Sequence, residues 1–319
     1  MRLKRLLVLL EVLPSLALAQ PFPAKPVTLV VPFPPGSSSD LIPRALAPLL
    51  SQALGVAVLV ENRPGAAGSI GAAQVAKAAP DGHTLLMTPT GVLAINQWLY
   101  QDLPYKPEKD FVPVVNAGTT PNLLVVHPAL PAANLKELIE LARAKPNSLS
   151  YASGGNGTTS HLCGEVLKFT AGIDLVHVPY KGPAPAHQDL LAGRVPLMCD
   201  NLSNVLPHVR AGRLRAIALT APLRHRQAPD IPTAGESGLP GVDVGVWYGF
   251  VAPAGTPAPI VDKLNAEFVK ALRTPAVTER MEALGLTVVA DSPGHFAQFI
   301  AAESAKWHKL VQASGARVD

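Results

Sequence analysis

From Val27 onward the chain repeats one pattern: a short run of β-branched and aliphatic residues, then a longer amphipathic stretch, then another such run. Strands alternating with helices bury their apolar faces only by layering helices on sheets, so the fold class is α/β with largely parallel strands. Strands are expected at residues 27–33, 56–61, 84–88, 123–127, 149–152, 175–179, 195–199, 214–219 and 242–251. One intervening helix follows Asn134, a good N-cap, and sets Leu135, Leu138, Ile139 and Ala142 on a single face. Another begins after Ser292-Pro293 and carries the stripe Phe296, Phe299, Ile300, Trp307, Leu310 and Val311, read as core packing. Many of the 33 prolines sit in connections such as 32–35 and 253–259, where rigid turns end strands.

The start of the chain bears on its compartment. Arg2, Lys4 and Arg5 precede an apolar stretch that ends at Ala17-Leu18-Ala19, so residues 1–19 read as a secretory signal peptide with an A-x-A cleavage site. No later run approaches about 18 uninterrupted apolar residues, and a soluble mature chain from Gln20 is expected. That length exceeds what one compact core usually holds, which favours two lobes. The stretches 122–127 and 242–252 flank the middle third and suit a chain crossing between lobes. The expected division is therefore 20–124 with 246–319 as the first lobe and 125–245 as the second.

The formal net charge of +4 is mild, and no basic block interleaved with aromatics occurs, so nucleic acid is not an expected partner. The nine histidines show no HExxH or other close ligand pairing, and no metal or cofactor is expected. Cys163 and Cys199 are the only cysteines and lack CxxC spacing. Two small buried thiols are the favoured reading, and a bridge is the alternative that an oxidising compartment allows.

Two segments carry recognition chemistry. VVPFPPGSSSD (30–40) and YASGGNGTTSH (151–161) each run from a strand through a turn rich in Gly, Ser and Thr into a helix. Such a turn exposes free N–H groups and the positive end of a helix dipole, which together suit an anion. Gly36 permits close approach, Ser37, Ser38 and Ser39 supply hydroxyls, and Asp40 is expected to cap a helix from Leu41. In the second turn Asn156, Thr158, Thr159 and Ser160 are the donors. Neither matches a phosphate loop, because no lysine follows the glycines. Asp200 ends the apolar run VPLMC and can meet a ligand amine or hydroxyl, or cap the helix after it. GAAGSIG (65–71) reads as a surface loop and helix start. A hydrolase is the alternative, with Ser69 as nucleophile and His161 or His177 with Asp200 completing a triad.

These residues resemble the Bug-type extracytoplasmic solute receptors of tripartite tricarboxylate transporters. The resemblance rests on PFPPGSSSD (32–40), VENRPGAAGSIGA (60–72), KAAPDGHTLL (77–86), LPYKPEKDFVPV (103–114), YASGGNGTTSHLCGE (151–165), VHVPYKGPAPA (176–186), MCDN (198–201) and APAGTPAPIVDKLN (252–265). It implies a two-lobed periplasmic-binding-protein fold of the Venus-flytrap, type II-like kind, with a hinge. It further implies a small organic carboxylate as ligand, membrane permease subunits as partners, and a monomer without catalysis. The implied ligand-binding positions are Gly36, Ser37, Ser38, Asn156, Thr158 and His161, with Thr90 and Gly91 on the pocket wall and Asp200 at the distal end. The sequence departs from the family pattern in the serines after Gly36, in Cys163 for a small residue, and in Cys199 for an aromatic. The last would open space beside Asp200 for a bulkier ligand. A sensor subunit that binds a ligand only to signal remains a third reading. For the export expectation, N-terminal sequencing of the secreted protein should begin at or within two residues of Gln20; a periplasmic chain retaining Met1 would overturn it.

Overall fold

The structure is a computed structural model and describes residues 22–314, so the expected signal peptide lies outside the described residues. Ten strands follow in chain order: β1 Val27–Val31, β2 Val58–Asn62, β3 Thr84–Pro89, β4 Phe111–Val126, β5 Ser150–Ser153, β6 Val176–Pro179, β7 Leu197–Asn201, β8 Arg215–Leu219, β9 Gly245–Pro253 and β10 Thr287–Val288. The helices are α1 Ser38–Leu54, α2 Ser69–Ala76, α3 Asn96–Leu99, α4 Pro107–Asp110, α5 Leu135–Ala144, α6 Thr159–Ala171, α7 Pro183–Leu191, α8 Leu202–Arg210, α9 Ala258–Leu272, α10 Pro275–Ala283 and α11 Pro293–Ser314, with a π turn at Gly91–Ile95 before α3.

The strands lie in the order β2-β1-β3-β9-β4-β7-β5-β6, with β8 and β10 also paired to β4. The expectation of largely parallel strands needs correction, because only the outer triplets β2-β1-β3 and β7-β5-β6 are parallel. Between them β9, β4, β8 and β10 all pair antiparallel.

The 16-residue strand β4 joins the two halves. Its residues up to Pro121 pair with β9, and Asn122 to Val126 pair with β7. Sequence reading found only its second part, since Pro113 and Pro121 look like breakers. Here Pro113 stands at a bulge and Pro121 at the last pair with β9, positions where a missing N–H disturbs the ladder least. Where the chain passes from one sheet to the other, Thr220 Oγ1 lies 3.0 Å from the Asn122 carbonyl and 2.6 Å from the Val244 carbonyl, tying three crossing segments at one point.

The helices pack as their stripes require. Asn134 accepts the Glu137 N–H at 3.0 Å, while Glu137 reaches back to the Ala133 N–H, and Leu135, Leu138 and Ala142 are buried. On α11, Phe296, Trp307 and Val311 are buried. That helix packs on β4, on the π turn and on α6, so it runs alongside both halves. Its Phe296 ring fills the space beside Gly249 of β9, where a Cβ would come within 2.3 Å of the ring and 2.8 Å of the Val115 carbonyl.

Cys163 and Cys199 form a disulfide, with Cα atoms 6.1 Å apart, and both are buried. This corrects the favoured reading of two thiols. Sequence spacing is silent on the pairing because α6 is laid onto β7 only by the sheet order. The bridge also corrects the idea of open space beside Asp200: Cys199 packs in the core under α6 and does not line the cleft described below.

The Gly249 contact gives a test of the core. Gly249→Ala should lower stability by about 1–3 kcal/mol through overpacking, seen as a lower urea midpoint with unchanged slope; an unshifted midpoint would show that α11 yields without cost.

Candidate functional site

Two turns meet over one cleft. After β1 the chain passes through Gly36, at φ +83°, to Ser37, the N-cap of α1. The helix starts three residues before the expected Leu41, so Asp40 lies inside its first turn instead of capping it. From there its carboxylate accepts the Gly36 N–H at 2.9 Å, Arg44 Nε at 2.9 Å and Asn62 Nδ2 at 2.9 Å. Burial alone would raise the Asp40 pKa. The Arg44, Gly36 and Asn62 hydrogen bonds outweigh it and hold the carboxyl below its ordinary value.

The second turn has its own support. Thr158 caps α6, accepting the His161 N–H at 3.3 Å and donating to the Gly155 carbonyl at 2.7 Å. His161 Nδ1 accepts the Gly157 N–H at 3.3 Å. Behind it, the His161 ring stacks on His177 at 4.3 Å and His177 stacks on Tyr151 at 4.8 Å. Ser153 Oγ lies 2.6 Å from His177 Nε2 and accepts the Gly155 N–H at 3.2 Å. Burial pushes the imidazoles down, His161 to about 4 and His177 to about 3, so both are neutral near pH 7. Gly157, at φ +80°, could not be replaced freely, since a Cβ there would stand 2.8 Å from Asn96 Oδ1 on the opposite side.

These turns leave four donors. The N–H groups of Ser38 and Ser39 in α1, and of Thr159 and Ser160 in α6, have no protein acceptor among the described residues. They belong to the first-turn N–H groups that every helix leaves unmatched. All four residues line a cleft of about 230 Å³. Ser160 is buried there, and its Oγ has no hydrogen-bond partner among the described residues.

The far wall comes from β7, α7 and α8. Asp200 Oδ2 lies 2.7 Å from His187 Nε2 and accepts Asn204 Nδ2–H at 3.0 Å. No hydrogen bond reaches its Oδ1 among the described residues. The cap of α8 is Asn201, so Asp200 takes the strand-end role and not the capping one. Tyr248 of β9 accepts Asn201 Nδ2–H at 2.8 Å across the cleft, and burial raises its phenol pKa.

Of the expected positions, Gly36, Ser37, Ser38, Gly91, Thr158 and Asp200 line this cleft. Thr90, Asn156 and His161 do not. Thr90 Oγ1 instead accepts the Trp247 N–H at 2.8 Å, clamping the end of β3 to β9. His161 supports the turn from behind, and Asn156 faces a neighbouring cavity of about 520 Å³ beyond the turns. The side chains of Ser37 and Thr158 donate to backbone carbonyls, at Pro34 and Gly155. Sequence reading took Thr159 and Ser160 only as turn donors and missed His187, Asn204 and Tyr248. A helix-start rule makes N1 and N2 legible, but nothing local brings His187 to Asp200.

The alternative triad is not assembled. Ser69 Oγ accepts from Asn96 at 3.5 Å, Asp200 is paired with His187, and His177 is paired with Ser153. Ser69 opens α2 on β1's side, whereas both histidines sit on the β5–β6 side.

The tripartite tricarboxylate transporter family receptor profile matches residues 42–316. The chain belongs to this family. Protein BugT of Bordetella pertussis is 38% identical over 301 residues, covering 94% of this chain and 92% of BugT. A Rhodopseudomonas palustris protein solved with malate, MatC, is 38% identical with a TM-score of 0.85, over 91% of this chain and 100% of its own. The R. palustris protein Rpa4515, solved with adipate, is 36% identical with a TM-score of 0.88, over 93% and 100%. The receptor accordingly has the two-lobed fold of periplasmic binding proteins, such as BugD.

The buried imidazoles make stability depend on pH. Their folded pKa values lie below the unfolded value, so the unfolded chain binds more protons between about pH 6.5 and 3. The contribution of the two imidazoles should be fully present above pH 7 and be lost as pH drops through that window. The decline in melting temperature should be shallower in His177→Asn than in wild type; parallel curves would remove His177 as a cause.

Proposed function

We propose that this receptor closes in the periplasm on a small organic carboxylate and hands it, as a monomer and without covalent chemistry, to the membrane permease subunits of a tripartite transporter. One observation carries the reading. Two helix starts, one on each side of the cleft, bring to the same small space four residues whose N–H groups lack protein acceptors among the described residues. The N-terminal ends of two helices favour an anion over a neutral solute, and a carboxylate with two oxygens can engage both.

Residues 20–124 with 246–319 then form one closing body and 125–245 the other, and β4 and β9 bend between them. Gly36, Ser38 and Gly91 come from the first body, Thr158, Ser160 and Asp200 from the second. Ser37 and Thr158 shape their turns, and His161 holds the Gly157 amide from behind. The ligand's distal end is polar, because Asp200 Oδ1 offers an acceptor beside the second amide hydrogen of Asn204 Nδ2. Malate in MatC and adipate in Rpa4515 are precedents for this ligand class. An export signal at residues 1–19 agrees with the periplasmic setting of BugD.

Calorimetry on the chain from Gln20, with malate, adipate and the corresponding amides, tests the reading. An acid should bind and its amide should not. Ser160→Ala should weaken acid binding by about tenfold, the loss of one hydrogen bond to a charged group. Asp200→Asn should reorder the acids without abolishing binding. Equal affinity for acid and amide would overturn the anion site.

A further inference from the structure

The Cys163–Cys199 bridge sits between the two halves of the cleft wall that the second lobe contributes. Cys163 lies in α6, five residues beyond the cap Thr158, while Cys199 immediately precedes Asp200 on β7. Apolar packing of α6 on β7 joins the two ends of that wall, and among the described residues no hydrogen bond links the Thr158–Ser160 turn to Asp200. The β5–β7 ladder pairs Tyr151 with Leu197 and Ala152 with Met198, and it stops there, before Cys199 and Asp200. Beyond that point the end of β7 is paired, among the described residues, with β4 alone, and Asp200 is drawn toward α7 and α8 by His187 and Asn204. On the other side, α6 is seated tightly on β5, because Gly164 leaves no room between its backbone and the Tyr151 ring. The disulfide resumes the connection one residue after the ladder ends. Both cysteines are buried, Cys163 at 0% and Cys199 at 1% exposure, so the link lies inside the wall and not on its surface.

We infer that the bridge is a spacer: it fixes the separation between the Thr158–Ser160 turn and Asp200, and thereby the length of acid the cleft accepts. Cys163 and Cys199 are positioning residues that act through Ser160 and Asp200, and the part concerning acids rests on the function proposed above.

The test compares wild type with the C163A/C199V double variant, at low temperature, in two measurements. The first needs no ligand. Amide hydrogen exchange should accelerate at least tenfold at 158–163 and 199–201 and remain unchanged in β1 and β3; unchanged exchange, or uniform acceleration throughout the chain, overturns the spacer. The second is calorimetry with malate and adipate, whose affinity ratio should change at least threefold. A ratio held within experimental error, even with both affinities reduced, assigns the bridge a merely structural role and overturns the inference. Should wild type bind neither acid, the proposed function fails, and the exchange result still decides the spacer. If the variant does not fold, wild type reduced with tris(carboxyethyl)phosphine, checked by mass for two added hydrogens, takes its place in both measurements.

Discussion

Strand β4 belongs to two sheets at once, and everything about the cleft follows from that. Because its first part pairs with β9 and its last five residues pair with β7, two α/β layers share one continuous backbone. Each layer keeps parallel strands whose carboxyl ends open onto the same gap, and each therefore delivers a helix start to it. A helix start cannot satisfy its own first N–H groups. Two such starts facing one gap create a need for an acceptor that neither lobe meets alone.

The polar residues around the gap divide by what they hold. Some make the turns: Asp40 draws in the Gly36 amide, Thr158 closes on Gly155, and His161 anchors Gly157. Others face the space: Ser160, Asp200 and Asn204. Hydroxyls already donating inside a turn cannot also donate to a solute. The support behind the second turn is a stack of two neutral imidazoles on Tyr151, whose hydroxyl donates to Glu165 at 2.6 Å. Neutral rings stack without repulsion, which is why burial and the low imidazole pKa values belong to one arrangement.

Much of this was legible in the residues. The strand runs, the Asn134 cap and the stripe of α11 follow from periodicity and capping alone, because both are local. The two turns were legible for the same reason, since a strand, a glycine turn and a helix start are contiguous in sequence. The first half of β4 was not, because proline reads as a breaker until a bulge and a ladder end are seen to accommodate it. Long-range pairs were also hidden: His187 with Asp200, Asn201 with Tyr248, and Thr90 with Trp247.

By itself the sequence determined an α/β chain with two donor-rich turns and an acidic strand end, together with motifs that mark its receptor family. Those properties depend on neighbours within a few residues, where backbone geometry and side-chain chemistry act directly. Only the tertiary structure decided that the turns face each other, which donors remain unmatched, and that Cys163 and Cys199 are joined. Each of these depends on which distant segments the sheet order sets side by side, and spacing along the chain carries no record of that.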